Sequence, residues 1–170
     1  MKKLNSEKIE KKRLLYINNS GWKYRKGIND MVIAAFGGEV SNMYGKTTDM
    51  SRDVAESKFV LAPSGLSMDS YRIWEVILFG SIPVVESNPG LDRAYSNLPV
   101  MVVRNYTDLT PDMLELAYPC FVKHAPQYRY DMLSQDYWID LIETTRRTRS
   151  IELIMENHPY TNKYCNFLNN

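Results

Sequence analysis

The stretch Ser57 to Glu86, SKFVLAPSGLSMDSYRIWEVILFGSIPVVE, constrains the fold of this chain more than any other. Phe59-Val60-Leu61-Ala62 is a short, continuous apolar run closed by Pro63-Ser64-Gly65, the pattern of a strand buried on both faces. Ser67, Asp69 and Ser70 can each cap a helix, and Tyr71 to Phe79 contains no Pro or Gly to interrupt one. Gly80 stands where a helix ends on a left-handed residue, and Ile82 to Val85 is a second apolar run. Two buried strands joined by one helix form a βαβ crossover, parallel and right-handed. Such a unit turns the loop after its first strand, and the start of its helix, toward a ligand.

The helix carries the chemistry. Arg72 and Glu75 lie three residues apart and share one face near its start, while Ile73, Val76 and Ile77 fall on another side and can pack on the sheet. A phosphate at the helix start would meet unpaired backbone N–H groups and the positive end of the dipole, and Arg72 could bind it as a fork. A carboxylate one turn further in could accept hydrogen bonds from a ribose diol. Spacing alone fits equally a surface ion pair on a helix that covers a sheet.

SKFVLAPSG, then a Ser, then YRIWEVILFGSIPVV resembles the signature of the exostosin-like glycosyltransferases. That family shows Ser-Lys-Phe, an apolar strand, Pro-x-Gly, Arg-x-x-Glu and Gly-x-Ile-Pro-Val. The resemblance runs from Glu56 to Leu114 and includes Leu98-Pro99-Val100 and Leu109-Thr110. Ser64 stands where the family commonly has Arg, which removes a possible phosphate ligand, and Ser81 stands where Cys is frequent, read here as a packing difference. Fucosyltransferases of the related two-Rossmann type share the Lys-Phe and Pro-Val strands. They carry Thr-Glu-Lys where this chain has Tyr71-Arg72-Ile73, so a fucosyltransferase-like donor domain is the weaker match.

The resemblance implies the C-terminal, donor-binding half of a two-Rossmann (GT-B) glycosyltransferase. Its donor would be a nucleotide sugar, of UDP type, and its acceptor the hydroxyl of a glycan or glycoprotein. Carried over residue by residue, Arg72 would contact the diphosphate and Glu75 the ribose. Ser64, Gly65 and Ser70 would bring backbone or hydroxyl donors to phosphate or sugar. No tightly bound cofactor and no metal is required, and no catalytic base is assigned, because in that architecture it comes from an N-terminal acceptor-binding domain or partner chain. The alternative is a non-catalytic nucleotide-sugar-binding or structural module, since one half cannot close over a donor.

With 170 residues the chain fits one domain with a substantial core. Its 21 Lys and Arg nearly balance 20 Asp and Glu, so no global field favours nucleic acid, and an anionic ligand must be held by local groups. Cys120 and Cys165 lack metal-ligand spacing; they could form one bridge in an oxidising compartment but are read as free buried thiols. No apolar run reaches the length of a membrane span, and the apolar stretch after the basic start is too short for a signal peptide. The chain as given is therefore expected in the cytoplasm, with the Golgi lumen open if it is an excised domain.

Taken in order, residues 1–13 read as a polar lead-in and residues 14–150 as a Rossmann-like domain. Leu14 to Ile17 is the first strand, and Asn18-Asn19-Ser20-Gly21 is its turn. Trp22 to Lys26 is a basic, aromatic loop before a helix from Ile28 to Phe36. In a doubly wound sheet this loop lies beside the ligand crevice, so Lys23, Arg25 and Lys26 are further phosphate candidates, against a plain solvated loop. Val40 to Tyr44 reads as a strand, Thr47 to Ser57 as a helix with Met50 and Val54 inward, and Val100 to Val103 as a fifth strand. Thr110-Pro111 caps and opens a helix to Tyr118. The fold class is α/β: a parallel sheet of about five strands with helices on both faces. Gln127 to Arg149, without Pro or Gly, reads as one long C-terminal helix with an aromatic stripe, and residues 151–170 as a tail.

Overall fold

The computed structural model describes residues 9–19, 23–37, 40–42 and 49–148. The expectations for residues 1–8 and for the tail at 151–170 lie outside them. Five parallel strands, β1 (Arg13–Ile17), β2 (Val40–Asn42), β3 (Ser57–Leu61), β4 (Ile82–Glu86) and β5 (Met101–Val103), form one sheet in the order β2-β1-β3-β4-β5. The α/β class and the helices on both faces are as expected. Because side chains alternate along a strand, each strand feeds two cores. Leu15, Ile17, Phe59, Leu61, Val84 and Val103 face the side covered by α1 (Lys23–Phe36) and α5 (Pro111–His124). Tyr16 and Val60, with Ala62, Val85 and Val102, face the other side, under α2 (Met50–Ala55), α3 (Tyr71–Leu78) and α4 (Asp92–Tyr95).

The crossover formed by β3, α3 and β4 is built as its residues dictate. Ser70 caps α3, its hydroxyl oxygen accepting from the Arg72 N–H at 3.4 Å, and Ile73, Val76 and Ile77 are buried on the sheet. Gly80 follows the helix with φ +72°, a conformation that would strain any residue with a Cβ, and its N–H bonds the Ile77 carbonyl.

Besides α2, which ends at Ala55 so that Ser57 opens β3, three elements differ most from expectation. Residues 23–26 are not a loop: α1 begins at Lys23, so Arg25 and Lys26 ride its first turns. The helix α5 does not stop at Tyr118 but continues through Pro119 to His124. Pro119 is exposed and leaves the Glu115 carbonyl without the N–H donor of a regular helix. The third difference is the largest. Gln127 to Arg149 is not one helix but two short 3-10 turns, Ala125–Gln127 and Tyr130–Leu133, followed by α6 (Gln135–Thr148). The Arg129 N–H is drawn away to the Asn97 carbonyl at 2.9 Å, and Arg129 grips Asp131 with two contacts of 2.8 and 2.6 Å. Met132 drops into the second core, and the Trp138 Nε1–H closes over its carbonyl at 2.8 Å. Tyr137 and Trp138 do pack toward the sheet, but Ile139, Leu141 and Ile142 stay exposed.

Cys120 is a disulfide-bonded residue and not the free thiol expected. Among the described residues no helix is long and apolar enough to cross a membrane.

Candidate functional site

The strand order reverses direction between β1 and β3. After β1 the chain winds outward to β2, then returns across β1 to lay down β3, β4 and β5. At such a switch point the loops at the carboxyl ends of the two strands separate and leave a crevice, which is where open α/β sheets bind ligands. Here the crevice holds a cavity of about 290 Å³ lined by Arg25, the Gly65–Ser67 turn and Asp69–Tyr71.

Arg25 spans the switch point from α1. Its Nε donates to the Ser64 carbonyl at 3.0 Å and its Nη2 to the Pro63 carbonyl at 3.2 Å. The guanidinium lies so close to Gly65 that a Cβ there would stand 2.7 Å from Nη2. A side chain at position 65 would therefore have to move the end of the Arg25 side chain, while the backbone angles at Gly65 make no such demand. Ser64 Oγ donates to the Met68 carbonyl at 3.3 Å and Ser67 Oγ to the Asp69 carbonyl at 2.5 Å, so the loop's hydroxyls hold its own turn. Ser70 is buried, with its hydroxyl committed to the α3 cap.

Asp69 ties this loop to the second core. It accepts from the Trp74 Nε1–H at 3.2 and 3.3 Å and from the Tyr95 hydroxyl at 3.2 Å. Burial, with the Asp69 carboxylate beside it, pushes the Tyr95 phenol well above its usual range, which favours the protonated form that donates to Asp69.

Arg72 and Glu75 come together, but on the face of α3 turned toward α2 and outside the residues that line the cavity. Arg72 Nη1 lies 3.4 Å from Glu75 Oε2 and 2.7 Å from the Met50 sulfur, and its side chain is 18% exposed. The 3.4 Å approach makes an ion pair without hydrogen-bond geometry, and Glu75 Oε2 is the one buried side-chain oxygen among the described residues with no hydrogen-bond partner. Lys26 pairs with Asp30 at 2.5 Å in solvent, one turn along α1, and does not reach the cavity.

The structure therefore divides the residues singled out from sequence. Arg25, Gly65 and Ser70 gather at the cavity, while Ser64 lies outside its lining and accepts from Arg25 through its carbonyl. Arg72 and Glu75 form a neighbouring pair, and Lys26 stands apart. Sequence reasoning missed Asp69 as more than a cap, and missed Leu66 and Tyr71 as cavity walls. No local pattern marks Asp69, since its partner Tyr95 lies 26 positions away.

No curated protein matches this chain. Among solved structures, a crystal structure of an alpha1,3-fucosyltransferase is similar to 76% of the chain at 14% identity, with a TM-score of 0.48. The chain spans 39% of that protein. The family model described as the RXYLT1 C-terminal domain matches residues 41–158, well over half of the sequence. The chain belongs to the RXYLT1 C-terminal domain family, a glycosyltransferase family of the exostosin-like type.

Proposed function

We propose that the chain is the donor-binding half of a GT-B glycosyltransferase, holding a nucleotide sugar of UDP type whose sugar passes to a glycan hydroxyl. The observation that carries the reading is the crevice at the β1/β3 switch point, lined by Arg25 and the start of α3, with the Arg72–Glu75 pair on the neighbouring face of that helix, in a chain of a glycosyltransferase family.

Sugar transfer breaks the bond from the anomeric carbon to the diphosphate oxygen, and negative charge grows on the leaving diphosphate. Preorganised donors aimed at that charge supply a large share of such catalysis. Arg72, at the positive end of the α3 dipole, is suited to that task. Glu75 Oε2, a buried acceptor without a donor, is suited to a ribose hydroxyl once its side chain turns outward. The acceptor's proton goes to a base from the acceptor-binding half, and this reading requires no metal. The disulfide at Cys120 favours an oxidising compartment, such as a secretory lumen, over the cytoplasm.

One observation favours the non-catalytic module: the Arg72 guanidinium is already engaged by Met50 and Glu75. Titration calorimetry with UDP separates the two. A donor half binds UDP in the millimolar to tens-of-micromolar range, about 4–6 kcal/mol, and Arg72→Ala lowers that by about 1.5–3 kcal/mol. Glu75→Gln weakens UDP more than pyrophosphate. Binding unchanged in Arg72→Ala, or no UDP binding at millimolar concentration, leaves the module reading.

A further inference from the structure

We infer that the cavity over the Gly65–Tyr71 loop is a subsite for a neutral ring bearing a vicinal diol, either the ribose of a nucleoside or the pyranose of a sugar. This rests on the donor-binding reading and states which part of the donor lies here: a hydroxylated ring, with the diphosphate outside.

The first argument is charge. The cavity is lined by one guanidinium, Arg25, and one carboxylate, Asp69, which balance. A diphosphate needs an excess of positive charge, and here it would meet Asp69 at short range. Arg25 moreover already donates to two loop carbonyls, which suits a wall of the cavity.

The second is the walls. Leu66 is 88% and Tyr71 73% exposed, among the largest apolar side chains left in water, and they flank the cavity mouth. Apolar walls with a few fixed polar groups are the ordinary composition of a small-molecule site. A sugar ring lays its C–H face on an aromatic ring and directs its hydroxyls sideways to polar groups.

The third is the acceptor. Asp69 is held by two donors, the Trp74 indole and the Tyr95 hydroxyl, at 3.2 to 3.3 Å. An ionised carboxylate has about four acceptor positions, so a carboxylate oriented from behind in this way suits a diol that donates from the front. At about 290 Å³ the cavity stands at the lower end of ligand sites, room for one substituted ring and not for a whole nucleotide sugar.

The test is ligand-observed NMR on the full chain with uridine, methyl β-D-glucopyranoside and pyrophosphate as probes, using wild type, Asp69→Asn, Tyr71→Ala and Leu66→Ser. At least one ring probe should bind; Asp69→Asn should weaken it about tenfold and Tyr71→Ala about threefold, with pyrophosphate not strengthened. Preference for uridine identifies ribose as the source and takes that role from Glu75, and preference for the glycoside identifies the sugar and leaves the ribose to Glu75. Tyr71 and Leu66 are exposed, so their variants keep the fold and carry the test even if Asp69→Asn does not. Ring binding that ignores Tyr71→Ala and Leu66→Ser overturns the inference, as does its absence in wild type. So does tighter pyrophosphate binding in Asp69→Asn, the response of a phosphate site relieved of a carboxylate. If wild type binds UDP with the Arg72 deficit intact while the ring effects are missing, only this subsite falls. If UDP fails to bind, the parent reading falls, and the ring probes still decide the subsite.

Discussion

The two edges of the sheet treat charge in opposite ways. At the amino edge, charged groups are spent on one another and on the backbone. Lys11 Nζ donates to the Ala55 carbonyl at 2.8 Å, the Gly80 carbonyl at 2.7 Å and Ser81 Oγ at 2.8 Å, which ties the ends of α2 and α3 to the chain entering β1. Glu56 meets Lys12 at 2.9 Å and Arg13 and Arg52 at 3.1 Å. The buried Ser81 hydroxyl lies 2.7 Å from the Val54 carbonyl and 2.8 Å from that of Ser57, with one proton to give. Ser81 is thus a polar junction and more than the packing substitution expected for it. At the carboxyl edge the loop after β3 is held by Arg25 through two carbonyls and by Asp69 through Trp74 and Tyr95, its apolar side chains Leu66 and Tyr71 face water, and a cavity stays open. The same fold makes one edge a clamp and the other a receptacle.

The sharpest way to break this contrast is Lys11→Met. It leaves the Ala55 carbonyl and the Ser81 hydroxyl, both at part-buried contacts, and the exposed Gly80 carbonyl without that donor, and should cost about 2–3 kcal/mol of stability. Urea unfolding would measure it, while UDP binding at a permissive temperature should stay unchanged. A loss under 1 kcal/mol would mean that water replaces the ammonium there.

Ser81→Cys should cost less, about 1–2 kcal/mol, because a thiol is a poor donor to the two carbonyls. Gly65→Ala should show the converse behaviour. The new Cβ must displace the Arg25 guanidinium, the far end of a flexible side chain, so stability should fall by under about 1 kcal/mol. Probe binding at the cavity should suffer far more than the melting temperature. A large drop in stability with intact binding would make Arg25 a structural clamp like those of the other edge.

The same contrast can be tested through pH. The Lys12 and Arg52 side chains bonded to the Glu56 carboxylate hold it down to about 2, so the stability it contributes is fully present above the ordinary carboxyl range near 4.5 and is lost as pH falls toward 2. Burial lowers Lys11 from 10.5 to about 8. Between those values the unfolded chain binds more protons, so stability should rise with pH from 8. Above about 10 the trend should turn down, because Tyr95 and Tyr106 keep their protons in the fold and lose them when unfolded. Thermal unfolding across pH 2–11 would test both limbs, and Lys11→Met should flatten the rise between 8 and 10.

Much of the fold was legible because its signals are local. The apolar runs of β1, β3, β4 and β5, the Ser70 cap and Gly80 each act within a few residues. Errors arose where a distant group competed. The stripe from Tyr130 to Ile142 has helical spacing, but the Asn97 carbonyl claims the Arg129 N–H and Met132 turns into the core, so the helix starts only at Gln135. The site divides in the same way. The pairing of Arg72 with Glu75 is legible through their three-residue spacing. Arg25 reads from the sequence as a phosphate candidate in a loop, and its role as a wall bonded to that loop is not legible, since its partners Pro63 and Ser64 lie 38 and 39 positions on.

The sequence by itself determined the alternation of strand and helix, the parallel sense of the central crossover and the family, because periodicity, caps and motif order are properties of neighbours along the chain. The tertiary structure alone decided the order β2-β1-β3-β4-β5, and with it which loops meet at the crevice. It also decided that Asp69 and Arg25 face one cavity while Arg72 leans toward α2. Those choices follow from which strands pair and which helix face is buried, and they depend on contacts between residues too far apart in sequence for any local pattern to encode.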